Sequence, residues 1–225
     1  MATLNGTLIK DGRVIRIDNS HTASFSDMVN GVGTEAQTSL EAATVYFKAD
    51  TTESMWNTFH RLVFIYNTSA LPDDCTIDSA TFALRLSGKT DDLSCTPDVA
   101  VYGATTASDL TIQAADYATV QSTVLSDVKA YGDLSVGYVT FTLNAAGLAY
   151  ISKTGLTKIS LRNANHDVAN IAPTWVSDVT SGLTFNLSGS IYTDPALTIV
   201  YTEAPSPEPP VVGSAAKAAR IFQRM

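Results

Sequence analysis

The side chains best suited to catalysis in this 225-residue chain are three histidines, His21, His60 and His166, which are scattered along the sequence. Nucleophilic catalysis needs a serine or cysteine beside a histidine, with a carboxylate to orient the ring. The chain has no Gly-x-Ser-x-Gly turn that would present such a serine. His60 precedes an apolar run, so we expect it at the surface or at a strand end rather than as a general base. The sequence predicts no catalytic residue and no enzyme.

A polar loop followed by a tryptophan offers a second kind of chemistry, the binding of a sugar. Aromatic rings stack on sugar faces, while nearby polar groups bind the hydroxyl groups. Aromatic residues at strand ends more often pack in the core, which is the alternative here. The candidate ligand-binding residues are Asn165, His166, Asp167 and Trp175.

Acidic residues cluster in loop-like stretches at Asp73-Asp74, at Asp91-Asp92 and at Asp98. Calcium prefers clustered oxygen ligands from loops, but aspartate is also a common turn residue. No spaced calcium-loop signature is present. The metal ligands therefore stay unknown, and we expect no cofactor, with Ca²⁺ as the alternative.

Two arginines, Arg61 and Arg162, each lie within an apolar, strand-like run. Because side chains alternate along a strand, either arginine could face solvent. A buried arginine would need a carboxylate partner, which the sequence alone does not identify. We expect structural roles for both.

Composition narrows the class of protein. Apolar residues make up 45% of the chain and charged residues 16%, and the formal net charge is −8. Nucleic acid and anionic membrane surfaces both attract basic segments, so we expect neither as a partner. No apolar run approaches the ~20 residues of a membrane-spanning helix. The first residues lack a basic start and an apolar segment, so we expect no secretory signal.

Short runs of β-branched and aromatic residues alternate with turn-forming residues along most of the chain. Apolar residues occupy every second position from Ala80 to Leu86, as in a strand with one buried face. Asn144 can cap one short helix, with Gly155 just beyond its end. The pattern predicts an all-β protein, a two-sheet antiparallel β-sandwich of the jelly-roll kind. The predicted strands cover residues 61–66, 76–86, 99–102, 138–143, 158–162, 183–187 and 196–201.

The N-terminal region predicts a β-hairpin followed by an arm. Asp11-Gly12 is a pair that a tight type I′ turn prefers, and strand-like runs flank it at 7–10 and 13–17. The polar stretch from residue 18 to 37 would be a loop or an arm lying on a neighbour. The chain thus divides into a hairpin and arm at 1–40, a sandwich at 41–203 and a tail at 204–225.

The two cysteines, Cys75 and Cys95, lie before and after a predicted strand. If the next strand folds back beside the first, the sulfur atoms are ~30 Å apart at ~3.3 Å per residue, and a disulfide needs Cα atoms within ~7 Å. Free thiols are expected, and a bridge is the alternative if the intervening loop doubles back.

The C-terminal tail differs from the rest of the chain. Residues 204–210 are rich in proline and predict an extended linker, after which Ser214 opens a stretch of high helix propensity. Three cationic residues against one glutamate give residues 204–225 a net charge of +2, which leaves −10 for the rest. This predicts a docking helix, with a frayed terminus as the alternative. Its candidate anchoring residues are Arg220, Ile221, Phe222 and Arg224.

Several of these runs resemble the DNRLRE-type domains, jelly-roll sandwiches that are similar to carbohydrate-binding modules and occur in secreted bacterial proteins and phage structural proteins. Only Arg61-Leu62 remains of the Asp-Asn-Arg-Leu-Arg-Glu string that names the family. The resemblance implies the fold and no catalytic residues. The matching stretches are residues 61–64, 69–72, 76–82, 141–148 and 194–202, and residues 161–175 look like a version common in phage proteins.

Taken together, these features predict a virion structural protein of a phage, either a capsid decoration or a tail-associated surface protein. Such a protein is assembled in the host cytoplasm and contacts other capsid or tail subunits through its terminal segments. Self-association as a homo-oligomer is expected. The alternative is a carbohydrate-binding adhesin or a module of a secreted or cell-surface complex. Host surface glycans are a further candidate partner of a virion protein.

Overall fold

The computed structural model describes residues 1–205, so the predicted docking helix lies outside the described residues. The described part is mostly β-strand, with two short α-helices, α1 (Phe25–Asn30) and α2 (Ala145–Tyr150). The strands β1 to β12, in chain order, are Ala2–Asn5, Thr7–Ile17, Glu35–Thr38, Ala42–Ala49, Trp56–Asn67, Thr76–Asp91, Val99–Ala104, Val120–Val124, Gly137–Thr142, Leu156–Asn163, Thr180–Asn186 and Ala196–Thr202.

All strand pairs are antiparallel, and they form one hydrogen-bonded network. The order is β1-β12-β6-β11-β4-β5-β10-β7-β8, with β9 beside β6, β2 beside β5, and β3 beside β2. The chain folds this network over itself, so that β5, β7 and β10 face β6, β9, β11 and β12 across the main core. The predicted antiparallel sandwich is confirmed, and its two layers are joined because β4 pairs with both β11 and β5.

The main core forms because apolar residues recur at every second position of the strands that line it. Phe82 lies at its centre, with its ring centroid 4.9 Å from that of Phe64 and 6.2 Å from that of Phe141. The hydroxyl of Tyr66 in the same core donates to the carbonyl of Pro195 at 2.8 Å. The buried hydroxyl group of Tyr66 thus has a hydrogen-bond partner within the protein.

Strand β5 is buried on both faces, because a second core lies behind it. Leu62 and Phe64 point into the main core, whereas Val63 and Ile65 point into the second. Helix α1 covers this second core with Phe25, and the aromatic side chains packed around it come from β4 and β5. Ser24 and Asp27 cap the helix reciprocally, which fixes where it begins.

The hairpin predicted at Asp11-Gly12 does not form. These residues lie inside the single strand β2, which pairs with β5 from Thr7 to Ile17. Glycine at position 12 allows β3 to lie beside β2, because a Cβ atom there would be only 2.4 Å from the carbonyl oxygen of Gln37 on β3. Asp11 is buried and accepts hydrogen bonds from the backbone and side chain of Ser188, both at 2.7 Å. Tertiary pairing thus overrides the local turn preference.

Residues 1–40 are not a separate arm in the described structure. Strand β1 pairs with β12, β2 pairs with β5, and α1 packs on the second core. The predicted helix after Asn144 is confirmed as α2, whose first turn Asn144 caps by accepting from Gly147 N at 2.9 Å. Cys75 and Cys95 are free thiols, as expected. In the described residues, no helix has the length and apolar character to span a membrane.

Candidate functional site

The loop that follows β10 is built around the side chain of Asn163. This side chain accepts hydrogen bonds from the backbone amides of His166 at 2.7 Å and Asp167 at 3.0 Å. The two bonds wind residues Ala164–Val168 into a single π-helical turn. As a result, the carboxylate of Asp167 folds back towards Arg162, five positions earlier in the chain.

The carboxylate of Asp167 bridges two buried guanidinium groups. Arg61 on β5 and Arg162 on β10 lie next to the paired residues Leu62 and Leu161, so the strand register brings them side by side. The Nε and Nη2 atoms of Arg61 donate to Asp167 at 2.9 and 2.6 Å, and those of Arg162 donate at 2.9 Å each. Both contacts are bidentate, the strongest geometry for such a pair. We call these three residues the ion triad.

Backbone carbonyl groups and aromatic rings complete the surroundings of the ion triad. Arg61 lies 3.8 Å from the centroid of the Tyr117 ring, which is a cation–π contact. Burial opposes ionisation of Asp167, but the two guanidinium groups outweigh it and lower its pKa to about 2. Burial raises the pKa of Tyr117, which stays a neutral donor to the carbonyl of Met28. The two guanidinium groups also donate to four backbone carbonyl groups. Arg61 donates to those of Val29 and Tyr117, and Arg162 donates to those of Val120 and Gln121.

The predicted ligand-binding residues of this loop serve largely as internal contacts. Asp167 is 4% exposed and fully engaged in the ion triad, so a direct contact with a ligand is not its role here. Asn165 accepts from Asp98 N at 3.0 Å and donates to the carbonyl of Thr96 at 2.9 Å. The ring nitrogens of His166 lie 2.8 Å from the carbonyl oxygen of Ile171 and 3.0 Å from that of Cys95. These contacts tie the loop to the segment before β7.

The structure places the tryptophans in the second core rather than on an open surface. Trp175 is half-buried against this core, and its Nε1 donates to the carbonyl of Met55 at 3.1 Å. Trp56 is buried, with its ring centroid 4.8 Å from that of Phe25. Because Asp167 is buried and Trp175 packs against the second core, the structure does not bring the four predicted residues together as one open site.

The three histidines do not converge on a nucleophile in the described structure. His60 lies inside β5 rather than at a strand end or at the surface, and its Nδ1 is 3.5 Å from Nη1 of Arg13. Burial and the neighbouring Arg13 lower its pKa to about 3. The exposed ring of His21 contacts the buried carboxylate of Asp50 at 2.8 Å. Each ring thus contributes to local structure.

The acidic stretches considered as calcium ligands organise turns. Asp91 accepts from the backbone amides of Cys95 at 2.9 Å and Thr96 at 3.0 Å, and from the hydroxyl of Ser181 at 2.9 Å. Asp98 accepts from Tyr131 N at 2.8 Å. Within residues 1–205, no three histidine, cysteine or acidic side chains form a group that could hold a metal ion.

An exposed aromatic patch lies on the outer face of β6 and β9. Tyr138 is 58% exposed and pairs across the strands with Arg85. The guanidinium of Arg85 lies 3.9 Å from the ring centroid of Tyr192, which is 43% exposed, and donates to the side chain of Asn186 at 3.0 Å. Ile191 beside Tyr192 is almost fully exposed. Flat rings flanked by polar groups are a surface that could bind a sugar.

No protein-family model matches the chain, and no curated protein matches it significantly. The resemblance to DNRLRE-type domains therefore stays a prediction from the residues, and the geometry described above carries the argument about function.

Proposed function

We propose that this chain is a structural protein of a phage particle, a capsid decoration or tail-associated surface protein that binds other virion subunits through its C-terminal segment. The observation that carries the proposal is the structural use of its buried carboxylates. Asp11 ties β2 to the loop after β11, Asp116 caps a 3₁₀ turn, and Asp167 joins β5 to β10. Buried polar groups that are satisfied internally favour a rigid scaffold.

The position of the chain ends supports attachment at one edge of the sandwich. Ala2 on β1 pairs with Tyr201 on β12, so the first residues and the end of β12 lie at the same edge. Residues 1–40 are part of the sandwich, which leaves residues 204–225 as the terminal segment available for anchoring. A basic tail leaving an acidic body favours docking on a partner surface of complementary charge.

The proposal predicts that removing residues 206–225 abolishes incorporation into the particle without unfolding the domain. The deletion begins after β12, so we expect the melting temperature to stay unchanged. Incorporation is measured by labelling particles with an antibody raised against residues 1–205. The double variant Ile221→Asp, Phe222→Asp should reproduce the loss, because charge opposes burial of these side chains in an interface.

A matched control for this experiment is Ile191→Asp, which makes the same change at an exposed apolar residue of the sandwich. Its incorporation should equal that of the unmodified chain. Full incorporation of the truncated protein would refute the tail as the anchor, and absence of the unmodified chain from purified particles would refute the virion assignment itself.

Glycan binding is the second candidate function, and the exposed aromatic patch favours it. If the patch stacks on a sugar, Tyr192→Ala should weaken binding on a glycan array about two- to tenfold, since one aromatic contact contributes about 0.5–1.5 kcal/mol. Trp175→Ala should leave binding unchanged, because that ring packs against the second core. Loss of binding in Trp175→Ala but not in Tyr192→Ala would instead place the sugar site at residues 165–175. A broad glycan array without signal would count against glycan binding as a function.

A further inference from the structure

A concave surface pocket lies directly above the ion triad. Its volume is about 310 Å³, within the range of ligand sites and large enough for a single sugar ring. Its rim comes from the end of α1, from β8 together with Ala118 in the turn before it, and from the turn after Asp167, and its floor comes from β5 and β10. Its lining includes Arg61, Arg162, Val29, Asn30, Ser122 and Asn170.

The floor of this pocket carries a net positive charge. Two guanidinium groups face one carboxylate, because Asp167 is the carboxylate in ion-pair contact with each of them in the described structure. The four backbone carbonyl groups around the two arginines accept hydrogen bonds from them but carry no formal charge. Arg61 and Arg162 are 2% and 4% exposed, so bulk water screens the remaining charge only weakly.

Each of the two arginines also keeps one unused donor. A guanidinium has five N–H groups. Arg61 donates four hydrogen bonds, to Asp167 twice and to the carbonyls of Val29 and Tyr117. Arg162 likewise donates four, to Asp167 twice and to the carbonyls of Val120 and Gln121. One N–H on Nη1 of Arg61 and one on Nη2 of Arg162 therefore lack a partner among residues 1–205.

A third arginine strengthens the positive character of this side of the domain. Arg16 packs against Gly31, next to the rim residue Asn30, and its buried Nε has no hydrogen-bond partner among the described residues. The acidic group nearest to it on α1 is Asp27, which is exposed and bonded to Ser24. Three guanidinium groups, those of Arg16, Arg61 and Arg162, thus stand against the carboxylates of Asp27 and Asp167, so the local charge is positive on a protein whose net charge is −8.

We propose that this pocket binds the carboxylate group of a small ligand, up to the size of an acidic monosaccharide. One carboxylate neutralises the single excess charge of the ion triad and accepts from the two unused N–H groups. The amide and hydroxyl groups of Asn170 and Ser122 at the rim suit the hydroxyl groups of such a ligand. This site is separate from the exposed aromatic patch and does not depend on the proposed virion role.

The test titrates the full chain with sodium glucuronate, acetate and glucose while backbone amide resonances are followed by NMR. We expect saturable shifts at residues 118–122 and 168–170 with glucuronate, with a dissociation constant of about 1 mM. Acetate should shift the same resonances more weakly, and glucose should leave them unmoved. Asn170→Asp introduces a negative charge at the rim with little change of shape, and it should weaken glucuronate binding about tenfold.

Asn5→Asp is the matched control, because it makes the same change on β1, at the opposite end of the strand order from β8. This variant should bind glucuronate as the unmodified chain does. The proposal is overturned if glucuronate causes no saturable shift, if both variants bind equally well, or if inorganic phosphate binds in preference to either carboxylate.

Discussion

Replacing Asp167 with asparagine is expected to lower the free energy of unfolding by about 3–5 kcal/mol, the usual cost of removing one partner from a buried ion pair. Asparagine keeps the size of the side chain but removes the charge between Arg61 and Arg162. The two guanidinium groups would then repel each other in a buried environment. The loss should appear in urea or guanidinium denaturation, with little change in the dependence on denaturant concentration.

Asp178→Asn is the matched control for this prediction. Asp178 contacts Lys48 at 2.7 Å, but its side chain is more than half exposed, so solvent screens the pair. Exposed pairs contribute at most about 1 kcal/mol. Equal losses for the two variants would contradict the structural importance given to the ion triad.

The fold class could be predicted from the sequence because the strands that line the main core carry apolar residues at every second position. The extent of the strands was harder to predict. The end of β6, residues 87–91, is polar and reads as a turn, yet it pairs with β11 across the sheet. Strand β4 was missed, although Ala43, Val45 and Phe47 are buried and alternate with half-buried positions, which supplied a usable signal.

The hairpin at Asp11-Gly12 was predicted wrongly because local turn preference was the only information available there. A buried aspartate in a strand needs a partner, and Ser188 supplies it from 177 positions away in the sequence. No spacing rule identifies such a partner. Helix α1 did leave a signal, since Ser24 and Asp27 have the spacing of a capping box.

In the candidate site, too, the sequence did not identify contact partners that are far apart in the chain. Asp167 was predicted to contact a ligand because it lies in a polar loop beside His166 and ahead of Trp175. Its actual partners follow from the register of β5 against β10, which places Arg61 next to Arg162. Arg61 is 106 positions from Asp167, so the bridging carboxylate became evident only once the strands were paired.

His60 is the second residue with a large expected effect, because its pKa of about 3 in the folded chain lies well below the ~6.5 of an unfolded chain. Between those values the unfolded state binds a proton that the folded state does not, so stability falls as the pH falls. From pH 7 to pH 4.5 the loss from this ring should be about 2–3 kcal/mol. His60→Gln should lack this part of the acid sensitivity in denaturation curves measured across that range.

The cause of the effect is burial of the ring inside β5, reinforced by the positive charge of Arg13. The ring centroid of Tyr46 lies 4.2 Å from that of His60, so Tyr46 shields the imidazole from water that would hydrate its protonated form. An independent measurement is the NMR titration of the histidine C2 proton, which should place the midpoint of His60 below pH 4. A midpoint near 6.5, or parallel losses of stability in both proteins, would show that the ring is hydrated in solution and that β5 opens at this point.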